Sequence, residues 1–138
     1  MTSDTRQAFK AALKTLITGV SSDFALVTDS RELIEKFTTD NYPLVRINEM
    51  ESQAVHNVTS CEINIIRFEI AIAVKADVSD DTLAGYCEAI ADSIRDNPQV
   101  SDTCDYCLAE TQMQPNEWEE AQYKVRYLNY KVMLRRSV

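Results

Sequence analysis

Cys104 and Cys107 stand three positions apart in "SDTCDYCLAE", the spacing of a metal knuckle or a redox pair. A structural zinc site takes four ligands and ordinarily supplies a second paired knuckle. The sequence has none: Cys61 and Cys87 are single, and the only histidine is His56. A thioredoxin-like pair must open a helix, where the dipole lowers the thiol pKa, but "CDYCLAE" is flanked by strand-like residues. Structural thiols are therefore expected. The competing reading is a small cytoplasmic metal- or thiol-binding protein that uses Cys104 and Cys107. His56 lies in polar "ESQAVHNVTS", which reads as a surface loop.

Other chemistries are limited by composition. The only glycines are Gly19 and Gly85. A dinucleotide fingerprint, a phosphate-cradling P-loop and a hydrolase nucleophile elbow each need at least two at fixed short spacing. Paired carboxylates have simpler explanations: Asp80 and Asp81 suit the first turn of a helix, Glu119 and Glu120 sit in an acidic loop, and Glu49 and Glu51 leave a strand. No catalytic, cofactor or metal residue is expected, and the protein is not expected to be an enzyme. Trp118 in "NEWEEAQ" either packs under its own loop or anchors a partner, as in a monomeric adaptor domain.

The 138 residues, 45% hydrophobic and 26% charged, suit a single domain spanning 1–138 with its own core. With no signal-like N-terminus and no apolar run of membrane-spanning length, the expected setting is the cytoplasm, where thiols stay reduced. A net charge of -8 opposes tight binding to a phosphate backbone. The charge is uneven, because residues 121–138 carry Lys124, Arg126, Lys131, Arg135 and Arg136 and no acid.

These residues need elements to position them. "TRQAFKAALKTLITG" puts Ala8, Phe9, Ala12, Leu13, Leu16 and Ile17 on one helical face, with Gly19 as a left-handed stop. "DFALVTD" predicts a strand and "DSRELIEKF" a short helix with Asp29 and Glu32 in capping-box spacing. "YPLVRINEM" predicts a strand, and residues 50–60 a polar loop. A second helix follows over "SDDTLAGYCEAIADSIRDNP", capped by Ser79 and burying Leu83, Cys87, Ile90 and Ile94. "DYCLAETQM" reads as a strand and "QPNEWEE" as a polar connection.

Two segments are long. From Cys61 to Asp77, Cys61, Ile63 and Ile65 alternate in one phase and Ile66, Phe68, Ile70, Ile72 and Val74 in the other, which predicts a strand with a β-bulge near Ile65 or Ile66. In "AQYKVRYLNYKVMLRR" the phase passes from Tyr123, Val125 and Tyr127 to Leu128, Tyr130, Val132 and Leu134. Sixteen extended residues reach roughly 50 Å, whereas a domain of this size is roughly 37 Å across. Either a β-arm projects and meets a neighbouring subunit, or the bulges bend the strands around one core. Lys124, Arg126, Lys131 and Arg135 are expected on one polar strand face. There they pair with Glu62 and Glu69, stay solvated, or meet the acidic surface of a neighbour.

The order of a leading amphipathic helix, "YPLVRINEM", "IIRFEIAIAVKA", a helix ending in "SIRDNP" and a final "YKVRYLNYKVMLRR" resembles the tail-terminator proteins of tailed bacteriophages, the minor tail protein U-like group. The resemblance spans nearly the whole chain and is one of layout, without a diagnostic motif. It implies an α+β domain with a mixed, mostly antiparallel sheet, two main helices on one face and long bulged strands. It also implies a hexameric ring that stops polymerisation of the tail tube and presents a surface to head-completion proteins. The implied setting is the bacterial cytoplasm during assembly and then the virion tail. An acidic ring through which DNA passes repels phosphate, as such a role requires.

Overall fold

A computed structural model describes residues 3–29, 39–58, 61–100, 103–104, 106–110, 117–119 and 123–137. In chain order these form α1 (Ser3–Thr18), β1 (Leu26–Thr28), a 3-10 turn (Thr39–Asn41), β2 (Leu44–Val58), β3 (Cys61–Lys75), α2 (Asp80–Asp96), β4 (Tyr106–Ala109), β5 (Glu117–Glu119) and β6 (Tyr123–Ser137). The fold is α+β. One mixed sheet has the order β1-β2-β3-β6-β4, with β5 also on β6; only the β1–β2 pair is parallel.

Both helices pack on the same side of the sheet. Phe9, Leu13 and Ile17 of α1 and Leu83, Cys87, Ile90 and Ile94 of α2 share one core with Ile66, Phe68, Ile70, Ile72 and Val74 of β3. The apolar spacing of each helix thus does what its periodicity dictates. Phe68 is central: its ring stacks on Tyr130 at 5.6 Å and 16°, and meets Phe9 edge-on at 5.4 Å. Ser79 caps α2, its hydroxyl accepting from the Thr82 amide at 3.1 Å. Gly19 does not take the left-handed conformation expected of it, since no described glycine has positive φ. Its amide donates to the Thr15 carbonyl, so α1 ends by ordinary helical bonding.

The long strands differ from expectation in two places. Residues 50–58 are not loop: β2 runs on to Val58 and pairs with β3 down to Val58–Cys61. The period-2 signal is hidden there because the register slips between Glu49 and Glu51 and again between Ala54 and His56, leaving Met50 and Val55 as extra residues. The bulges therefore lie in β2. None lies near Ile65 or Ile66, where β3 pairs with β6 without a break from Cys61–Ser137 to Lys75–Tyr123.

The change of apolar phase in β3 and β6 has another cause: the helix side is covered along the whole ladder, the opposite side is buried as well near Lys75, and toward Cys61 that opposite side carries the half-buried Ile65 and Met133. Near Lys75 both sides are buried. Ala71, Ala73 and Val125 lie opposite the helices with Tyr42 and Leu44, packed by Leu26, Tyr123 and Tyr127. The two small alanines leave room for these aromatic rings. Toward Cys61 the helix side stays closed by Ile66, Val132 and Leu134.

Shorter corrections follow the same logic. Of the strand expected over "DYCLAETQM", β4 is Tyr106–Ala109, and Asp105 and Thr111 to Met113 lie outside the described residues; "NEWEE" is not all loop, since Glu117–Glu119 pairs with Lys124–Arg126. The helix expected over "DSRELIEKF" lies outside the described residues, apart from Asp29.

Candidate functional site

The thiols come from three neighbouring elements. Cys87 is on α2, Cys104 lies in the turn after it and Cys107 is on β4; all three are buried and unbridged. The Cys104 thiol faces the Pro98 carbonyl at 3.6 Å. Burial, and then the neighbouring Cys104, pushes the Cys107 thiol up to about 12. Tyr130 is likewise pushed up to about 12, by burial first and then by Cys107 and Cys87. A thiol with this titration is protonated at neutral pH and is a poor nucleophile and a poor metal ligand. Among the described residues no group of three or more His, Cys, Asp or Glu is arranged to hold a metal. Cys87, Cys104 and Cys107 all belong to the core shared by the helices and the sheet. Cys61 and His56 have their backbones in β3 and β2, His56 opposite Ile63, and their side chains fall outside what the structure describes, as does that of Trp118.

The cations do not share a strand face. Because β6 has no bulge, Lys124 and Arg126 fall in the helix-side phase of Leu128, Tyr130 and Val132, while Lys131 is on the opposite side. Glu69 stands opposite Asn129 of β6, and its ion-pair partner among the described residues is Arg46, at 3.8 Å. Burial raises the Glu69 pKa and Arg46 partly offsets this. Lys124 reaches the N-terminus of α2, donating to Asp80 and to the Val78 carbonyl. Arg67 donates to Glu110 at 3.3 Å across the helix-free side.

Two surface features remain. An open groove of about 560 Å³ between the helices is lined by Ala12, Thr15, Leu16, Gly19 and Ser93, none of them ionisable. On the helix-free side, the register sets Ile65, Met133 and Tyr106 in one row, and Lys131 and Leu108 in the row beside it. Leu108 is 52% exposed. The phase change in β3 is the trace of this second feature in the sequence, since Ile65 belongs to the apolar phase that falls on the helix-free side.

No helix among the described residues is long and apolar enough to cross a membrane. A comparison against protein-family models finds no match, and neither does one against characterised proteins.

Proposed function

We propose that this chain is a non-enzymatic structural subunit of a phage or prophage tail, forming a ring that terminates the tail tube and offers a surface to the head-completion protein. Its setting is the bacterial cytoplasm during assembly and then the virion tail. The ring is a hexamer in the proteins that the chain's layout resembles.

The observation that carries this reading is the unbroken fifteen-residue pairing of β3 with β6, roughly 50 Å of ladder. One side of it is covered by helices, and the other bears the half-buried Ile65, Met133 and Tyr106 beside the exposed Leu108 toward the Cys61 end. Such a sheet gains by burying its open side against another molecule. The burial of Cys87, Cys104 and Cys107, with the Cys107 thiol raised to about 12, supports a packing role over the metal- or thiol-binding alternative. The acidic balance supports a ring that lets DNA pass.

The test is a tube-polymerisation assay. Adding the purified chain to polymerising tube protein of the same phage should shorten the tubes and leave a ring at one end. Tubes of unchanged length with bare ends would sink the reading.

A further inference from the structure

We infer that copies of this chain dock face to back, the helix-free sheet surface of one copy seated on the acidic side of α2 in the next. The inference deepens the ring reading and rests on its self-assembly.

The sheet surface has an apolar part, the Arg67–Glu110 ion pair and a further cation, Lys131, beside Arg67 in register. Ile65, Met133 and Tyr106 are half-buried, Leu108 is exposed, and Lys131 lies among them without an ion pair among the described residues. On the other side of the molecule, α2 carries five acids, Asp80, Asp81, Glu88, Asp92 and Asp96, against one base, Arg95. Asp81, Gly85, Glu88 and Asp92 recur at helical spacing and are all exposed. Asp80, Asp92 and Asp96 are engaged with Lys124 or Arg95. Asp81 and Glu88 have no ion pair among the described residues, and the space beyond Gly85 is open.

The occupant follows from these charges. A helix laid on an apolar sheet surface is the ordinary layer packing of proteins, and Gly85 lets the backbone come close. Pairing the sheet surface with itself would bring two copies of Lys131 into one contact with no unpaired acid on that surface to meet them among the described residues. Pairing it with α2 sets Lys131 against Glu88. The two patches differ and face opposite ways, so the contact is heterologous and propagates until rotation closes a ring.

Sedimentation velocity on the full chain tests this by charge reversal. Lys131→Glu alone and Glu88→Lys alone should each weaken assembly about tenfold, with the Tm of each variant unchanged because both residues are at the surface. The combined variant should regain assembly. If the wild type assembles and both single reversals assemble equally well, or the combined variant stays weak, this docking mode is wrong while the ring reading stands. A wild type that remains monomeric at the highest attainable concentration overturns both.

Discussion

Lys124 on β6 holds Asp80 at the start of α2, its Nζ 2.9 Å from Oδ1, and the same ammonium donates to the Val78 carbonyl at 2.8 Å. One side chain thus fastens the last strand to the entrance of the second helix.

Lys124→Ala should cost about 1 kcal/mol, chiefly through the bond to the Val78 carbonyl, since Lys124 is mostly buried and Asp80 mostly exposed. Hydrogen bonding to Lys124, and then its charge, lowers the Asp80 pKa. A carboxyl with a lowered folded pKa stabilises above its ordinary value and loses that contribution as pH falls through the lowered one. Asp80→Asn should therefore matter at neutral pH and cease to matter in acid, as read from denaturant midpoints at several pH values.

Phe68→Ala should cost about 3 to 5 kcal/mol. It removes a ring that touches both Phe9 and Tyr130 and so uncouples α1 from the sheet. Phe68→Leu, which keeps most of the volume, should cost clearly less in urea melts; equal losses would mean that the ring is not the joint between the layers.

Cys107 should resist alkylation in the native state at neutral pH and react on unfolding. Its folded pKa of about 12 lies above the ordinary value of 9.0. The sign follows: the protonated thiol's contribution is complete below the ordinary value and is lost as pH rises from there toward 12. Cys107→Val should flatten the alkaline fall in stability over that window. Tyr130, raised in the same way, keeps its share of the fall.

Val100 is 1% exposed with φ of 43°, in the left-handed region that a β-branched residue rarely adopts. At most buried sites glycine is worse than alanine by about 0.5 to 1 kcal/mol. Here Val100→Gly should be no less stable than Val100→Ala, because only glycine relieves the backbone, which offsets the one further buried carbon that it loses. Thermal melts of the two variants decide it; a clearly weaker glycine variant would show that the backbone is not strained.

Much of this fold was legible in the sequence because local rules and packing agree. Leu83, Cys87, Ile90 and Ile94 recur at helical spacing and are the buried face of α2, behind the cap at Ser79. β2 beyond Glu49 was not legible: "ESQAVHNV" has no alternation, its strand state depends on pairing with apolar β3, and its two slips of register scramble the period. The opposite error arose in β3. A change of apolar phase is produced equally by a bulge and by a change in how far the second side is covered, and sequence alone does not separate them. That ambiguity also assigned Lys124 and Lys131 to one face, whereas the continuous ladder puts them on opposite sides. The spacing of Cys104 and Cys107 was visible from the start, but the burial of Cys107 with Cys87 near Tyr130 comes from long-range contacts between α2, β4 and β6.

The most direct test of the central claim is electron microscopy of the purified full chain, with its mass measured in solution. Closed rings of uniform subunit number are predicted. A uniform population of single chains, unaltered by concentration, would contradict the account.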